Sequence, residues 1–139
     1  MEHKTRSELR IEVMTILYQI NIYKKNKMEF NVDEIIKEVT EIESEFVKDI
    51  VYGVLTYQEQ IDEIANKYLD GWNIDRLGNT DKAILEIGLY ELLYTKTPEI
   101  VCINEAIELA KKYSDDSVRK MINAVLDKAL KSKEDNNER

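Results

Sequence analysis

The stretch NTDKAILEIGLYELLY, residues 79–94, indicates the fold class of this chain. Its apolar residues recur at the spacing of a helix, and either Asn79 or Thr80 can cap the first turn. Since this stretch is the most apolar of the helical stretches, we expect it to lie at the centre of the fold. The residues expected to be buried are Ala83, Ile84, Ile87, Leu89, Tyr90 and Leu93.

Four helices are predicted upstream of this stretch. Residues 4–25 repeat apolar side chains with helical spacing, and Lys24, Lys25 and Lys27 at the end of this stretch suit the negative end of a helix dipole. Asn31 with Glu34 predicts the capped start of a short second helix. Thr40 with Glu43 predicts a second capping box, which opens a third helix. The fourth runs from about Gln58 to Leu69 and ends at Asp70-Gly71.

Downstream, an irregular connector precedes the central stretch and two more helices follow it. Trp72, Ile74 and Leu77 are the apolar anchors expected in the connector. Thr97-Pro98-Glu99 predicts a helix start that leads to about Lys112. Ser114 or Asp115 starts the last helix, and residues 132–139 are expected to form a polar, disordered tail. The sequence therefore predicts an all-α fold of about seven helices.

Composition excludes several classes of protein. The chain has 139 residues, 43% hydrophobic and 35% charged, with one Pro and four Gly, which is typical of a globular domain of helices joined by short turns. No stretch approaches the roughly 20 apolar residues that span a bilayer. The first ten residues are polar and unlike a signal peptide, so we expect a cytoplasmic protein without a membrane partner.

Residues capable of catalysis are scarce. His3 is the only histidine and Cys102 the only cysteine, so general acid–base chemistry and an activated thiol both lack a partner. Cys102 lies in an apolar run, where a buried and inert thiol is expected. Acid pairs such as Asp115-Asp116 are typical of solvated or capping positions. We therefore expect no catalytic residues, no metal and no cofactor, and a function that depends on surfaces.

The charge is unevenly distributed along the chain. The net charge is −8, yet residues 1–30 hold six Lys/Arg against four Asp/Glu, and residues 111–133 hold seven against three. Residues 31–110 hold six against eighteen. If the first and last helices lie together, a mildly basic face forms on an acidic protein, as a nucleic-acid-binding surface requires. The alternative is that these lysines and arginines only solvate helix faces.

Three collinear stretches carry a resemblance to a known family. They are FVKDIVYGV at 46–54; WNIDRL at 72–77 with DKAIL at 81–85; and TP at 97–98 with VCINEAIELAK at 101–111 and KMINAVLDK at 120–128. In this order and spacing they resemble the NusB family of transcription antitermination factors. The resemblance covers residues from about Arg6 to Leu130. It implies one all-α domain over residues 1–131, made of two helical bundles at about 4–70 and 72–131.

The resemblance also implies a function without catalysis. Members of the family bind the boxA element of rRNA leader transcripts as a heterodimer with a small-subunit ribosomal protein, NusE. That complex joins RNA polymerase and other Nus factors and suppresses termination in rRNA operons. Two alternatives stay open: a helical protein–protein adaptor whose RNA binding is weak or lost, and a homodimer.

The resemblance assigns RNA contacts to the first helix. The family's arginine-rich start is represented here by Arg6 and Arg10, with Lys4 nearby. Arg6 and Arg10 are four residues apart, so both are expected to reach one phosphate track. Tyr18 matches a tyrosine on the RNA side, where its ring can stack on an unpaired base or anchor the helix instead.

Further contacts are implied beyond residue 75. Asp81 matches an acidic position that contacts RNA or caps its helix. Lys120 and Met121 stand where the family usually has Lys-Phe, so a stacking ring is absent at Met121. The partner surface is implied on the second bundle, where an acidic stretch suits a basic ribosomal protein. The residues assigned to that partner surface are Asp75, Arg76, Asp81 and Glu91.

Overall fold

The structure is a computed structural model that describes residues 3–137, and in this range seven α-helices and one short 3₁₀ turn form the fold. The helices are α1 (Arg6–Lys25), α2 (Val32–Val39), α3 (Glu45–Thr56), α4 (Gln58–Tyr68), α5 (Asn79–Tyr94), α6 (Glu99–Tyr113) and α7 (Asp116–Asn137). The 3₁₀ turn spans Ile74–Arg76 and joins α4 to α5. The all-α prediction is confirmed.

Helix α5 is the centre of the molecule, as its apolar sequence predicted. Every residue from 82 to 89 is buried, because α1, α3, α4, α6 and α7 all pack against this helix. Tyr90 and Leu93 are only partly buried. The buried side chains form one continuous core, and the division into two bundles near residue 70 stays a prediction.

The helix caps show where local sequence determines the backbone. Asn31 accepts the backbone N–H of Glu34 at 3.1 Å, which confirms the predicted start of α2. The capping box predicted at Thr40 is wrong. The hydroxyl of Thr40 donates to the carbonyl of Ile36 at 2.7 Å and so closes α2. Ser44 caps α3 instead, accepting the N–H of Val47 at 3.2 Å.

Two further expectations need correction. Trp72 is not a buried anchor, since 59% of its surface is exposed while Ile74 and Leu77 are buried. Residues 132–137 do not form the expected disordered tail, because α7 continues to Asn137, and residues 138–139 of that tail lie outside the described residues. Lys133 holds that extension: its Nζ donates to the carbonyl of Leu92 at 2.9 Å and lies 3.2 Å from the Glu99 carboxylate.

Candidate functional site

Arg10 is buried rather than presented to solvent. Only 2% of its surface is exposed, and its Nε and Nη2 donate to the two carboxylate oxygens of Glu91 at 2.7 and 2.8 Å. Glu91 is likewise 2% exposed. This burial argues against the RNA contact expected of Arg10 and against the partner contact expected of Glu91. Each satisfies the other across the α1–α5 interface, in the bidentate geometry that makes arginine–carboxylate pairs strong and specific.

A small network surrounds this ion pair at the start of α1. The Oγ of Ser7 donates to Glu105 of α6 at 2.7 Å, and Glu105 lies 3.7 Å from Nη1 of Arg10. The guanidinium groups of Arg6 and Arg10 lie 5.0 and 5.2 Å from the centroid of the Phe46 ring. Cation–π contacts of this kind orient an arginine without neutralising it. The network fixes the first turns of α1 against α3, α5 and α6.

Arg6 and Lys4 are the exposed cations of this end of α1. Lys4 already has a partner, since its Nζ lies 2.5 Å from the carboxylate of Glu12, and this hydrogen bond raises the pKa of the lysine. Arg6 has no carboxylate within ion-pair distance among residues 3–137. With no such partner between residues 3 and 137, its guanidinium has hydrogen-bond donors available to an anion.

Tyr18 lies on the same face of α1 as Ser7 and Ile11. Residues 7, 11 and 18 share one face of an α-helix, and Ser7 and Ile11 line a shallow groove between α1 and α6. Lys112 lines the same groove from α6, a residue that the sequence did not single out. Tyr18 is 39% exposed, so one side of its ring is accessible. The face therefore offers an aromatic ring and an exposed lysine, the two groups that single-stranded RNA recognition uses.

A second groove, called the connector groove below, lies at the start of α5. It encloses about 370 Å³ and gathers residues of the connector, of α5 and of α7. The hydroxyl of Ser114 donates to the carboxylate of Asp81, which ties the start of α5 to the end of α6. The lining residues are Trp72, Arg76, Leu77, Gly78, Asp81, Ser117, Val118 and Met121.

This connector groove brings together predicted RNA and partner residues. Arg76, Asp81 and Met121 line it directly. Asp75 and Lys120 are exposed, and Asp75 accepts a hydrogen bond from Nζ of Lys82 at 2.9 Å. Trp72 is the member that sequence reasoning misassigned, and its exposed indole makes the groove partly aromatic.

The exposed face of α1 and the connector groove are separated along α1 and α5. The two helices run antiparallel. Arg10 near the start of α1 meets Glu91 near the end of α5. Lys24 at the end of α1 contacts Gln58, which in turn contacts Glu86, a residue nearer the start of α5. Arg6 and Tyr18 are twelve residues apart, about 18 Å along the helix. The predicted RNA contacts therefore do not form one compact patch but extend over the length of α1 toward the start of α5.

Reactive groups are sparse in the described part of the chain. Cys102 is buried, and desolvation raises the pKa of its thiol to about 11, so the nucleophilic thiolate is disfavoured at neutral pH. Between residues 3 and 137 no three His, Cys, Asp or Glu side chains come together as a metal site. Within the same range no helix combines the length and apolar character needed to cross a membrane.

Fold and surfaces together define an all-α protein whose conspicuous features are exposed charged and aromatic side chains on helix faces. The sequence model of the NusB family matches residues 7–131, and the chain belongs to that family. It is 40% identical over 131 residues to the transcription antitermination protein NusB of Campylobacter jejuni subsp. jejuni, covering 93% of this chain and 98% of that protein. NusB of Halalkalibacterium halodurans is 39% identical over 124 residues, with 88% and 91% covered.

Solved structures agree with this assignment. NusB of T. maritima superimposes with a TM-score of 0.81 at 28% identity, covering 94% of this chain and 93% of that one. A chain from a crystal structure of antitermination factors NusB and NusE in complex with dsRNA superimposes with a TM-score of 0.77 at 30% identity, with 91% and 96% covered. Similar coverage of both chains means that the likeness extends over the whole domain.

Proposed function

We propose that this protein is a transcription antitermination factor of rRNA operons. It binds boxA-type RNA together with the small-subunit ribosomal protein NusE, and the complex joins RNA polymerase and other Nus factors in the cytoplasm. It acts by assembly and catalyses no reaction. The observation that carries this proposal is the match of nearly the whole domain to a family with a member solved with NusE and RNA.

The RNA surface follows the exposed side of α1 and continues to the start of α7. Arg6 supplies a phosphate contact, because its guanidinium is exposed and has no carboxylate partner among residues 3–137, and Lys4 adds charge beside it. Tyr18 stacks on an unpaired base. Lys120 contacts a second phosphate, and Met121 contributes apolar contact where an aromatic ring would stack.

The charge balance favours joint binding with a protein partner. The chain as a whole carries a net charge of −8, and few exposed cations face the RNA. Neutralising only a few phosphates gives weak, salt-sensitive binding. A partner that adds its own RNA contacts to the same complex raises the affinity through linkage.

The partner surface is centred on the connector groove. Asp75 and Asp81 supply negative charge that suits a basic ribosomal protein, and Arg76 adds a donor for a carboxylate or carbonyl of that protein. Trp72 provides the kind of exposed aromatic anchor that is enriched at the centre of protein interfaces.

Fluorescence anisotropy with a labelled boxA RNA tests the proposal. We expect selective binding over a scrambled RNA of equal composition, and tighter binding when the ribosomal partner is added. Equal binding of both RNAs, or no binding with the partner present, would exclude the antitermination function. Binding of the partner without any boxA preference would instead identify a protein–protein adaptor, an alternative that the burial of Arg10 favours because it removes one phosphate contact.

Substitution of Arg6 is expected to weaken RNA binding without unfolding the protein. Arg6→Ala removes one phosphate contact, which should cost about 1 kcal/mol and lower the slope of log affinity against log salt by about 0.7. Anisotropy titrations at several salt concentrations measure both quantities. Lys67→Ala, at an exposed position of α4, is the matched control and should leave affinity and slope unchanged. An unchanged salt slope in Arg6→Ala would remove Arg6 from the interface.

A further inference from the structure

A pair of acidic side chains meets in the interior between α4 and α5. Glu86 of α5 has no exposed surface, and Asp62 of α4 lies within hydrogen-bonding reach of it. Gln58 satisfies one carboxylate oxygen of Glu86, because its Nε2 donates to Oε2 at 2.9 Å. The remaining oxygen, Oε1, and the Oδ1 of Asp62 are both buried and accept no hydrogen bond from the described residues.

The charges around this pair do not neutralise two carboxylates. The charged groups that influence it are Lys24 of α1, Asp75 of the 3₁₀ turn and Lys82 of α5. Lys82 already donates to Asp75 at 2.9 Å, and Lys24 donates to the side-chain oxygen of Gln58 at 2.6 Å. The carboxyl groups of Asp62, Asp75 and Glu86 therefore share two lysines. The hydrogen bonds of these lysines go to Asp75 and Gln58 and not to the buried pair.

One bound proton compensates both for the missing hydrogen bonds and for the excess negative charge. If the Glu86 carboxyl is protonated, its O–H donates to Asp62, so that two buried oxygens without a partner become one hydrogen bond. Two carboxylates in contact would otherwise be held together against their repulsion in a site that excludes water. Burial first, and then the contact with Asp62, hold the pKa of Glu86 well above its usual range, and burial raises the pKa of Asp62.

We propose that Asp62 and Glu86 share one proton at neutral pH and form a pH-sensitive latch between α4 and α5. The latch is closed while the proton is bound and opens when the proton leaves, because two charged groups then compete for Lys82. Neither carboxyl group of the latch is among the RNA and partner contacts proposed above. Lys82 also holds Asp75, so opening the latch loosens the connector that carries Trp72 and Arg76.

The sign of the pH dependence follows from which state binds the proton. The folded state keeps a proton that the unfolded chain loses near the ordinary glutamate pKa of about 4.3. Stability conferred by the proton is fully present below that pH and is lost as the pH rises through the raised pKa of the folded state. A difference of one proton changes the folding equilibrium constant about tenfold per pH unit.

Denaturant unfolding of the full chain between about pH 5 and about pH 9 tests the latch. Glu86→Gln keeps an oxygen for Gln58 and supplies an N–H to Asp62 at every pH. The ratio of its folding constant to that of the wild type should rise with pH, by up to about tenfold per unit. Glu59→Gln on the exposed face of α4 is the control and should show a constant ratio.

Two further results complete the test. Asp62→Asn should flatten the profile only in part, because it removes the contact with a second carboxylate while Glu86 stays buried. The infrared spectrum of the wild type at neutral pH should contain the carbonyl band of a protonated carboxylic acid, and Glu86→Gln should lack it. A constant ratio for Glu86→Gln, or a wild-type spectrum without that band, would overturn the proposal.

Discussion

Replacing Arg10 by alanine is expected to destabilise the fold by about 3–5 kcal/mol, rather than simply to weaken RNA binding. The substitution leaves Glu91 buried with a charge whose two hydrogen bonds come from the Arg10 guanidinium. It also removes the guanidinium that packs over Phe46 and lies near Glu105. Urea denaturation followed by circular dichroism measures this loss.

The double substitution Arg10→Met/Glu91→Leu is the informative companion to Arg10→Ala. Replacing both charged groups with apolar side chains leaves no orphaned charge, so much of the lost stability should return. Arg6→Ala, in the exposed cation one turn earlier, should leave stability nearly unchanged. If Arg10→Ala keeps wild-type stability and loses only RNA affinity, Arg10 is an RNA ligand and its buried placement is wrong.

Gly53→Ala is expected to destabilise the protein by about 1–3 kcal/mol, although alanine is the better helix former. A Cβ at this position of α3 would overlap Cζ of the Tyr90 ring. The Tyr90 ring is stacked on Tyr94 with centroids 5.8 Å apart, and Tyr94 stacks on Tyr57 at 4.3 Å. The ring cannot move away without disturbing this stack. Thermal and urea unfolding both measure the effect.

A double-mutant cycle with Tyr90→Ala separates the clash from other effects of Gly53→Ala. Once the ring is absent, the methyl group has room, and Gly53→Ala should become neutral or stabilising by up to about 1 kcal/mol. Thr56→Ala, at an exposed position of the same helix, is the control and should change stability little. A stabilising effect of Gly53→Ala in the wild-type background would show that α3 and α5 are not in this close contact.

The sequence predicted the helices well because their apolar spacing is local, whereas the caps expected for α5 and α6 are wrong, since Gly78 and Pro98 precede these helices without a side-chain cap. The central position of α5 followed from its unusually apolar composition. The start of α3 was misplaced because Thr40 and Ser44 are both good caps, and only packing decides which one ends a helix. The extension of α7 was missed because Lys133 is stabilised by Leu92 and Glu99, residues far away in the chain.

The site was predicted less well than the fold. Arg10 is three residues before Val13 and seven before Leu17, both fully buried, so its helical spacing already indicated the inner face. Its charge and the family resemblance suggested the opposite. The partner that makes burial possible, Glu91, is 81 residues away and could not be identified from local pattern.

Trp72 illustrates the reverse error. Large aromatic residues are expected inside, yet nothing in local sequence shows whether a side chain in an irregular connector points toward the core. In the structure Ile74 and Leu77 fill the core positions of the connector, and the indole of Trp72 stays at the rim of the groove.

Chemical-shift mapping of boxA RNA on the isotope-labelled protein, in complex with its ribosomal partner, tests the central claim most directly. We predict that addition of RNA shifts the backbone amides around Arg6, Tyr18 and Lys120, and leaves those of exposed α4 residues such as Glu59 in place. The amide of Arg10 should respond only as a neighbour, while its side-chain Nε signal keeps the position set by Glu91. Shifts confined to other surfaces, or none at all with boxA RNA, would contradict the account.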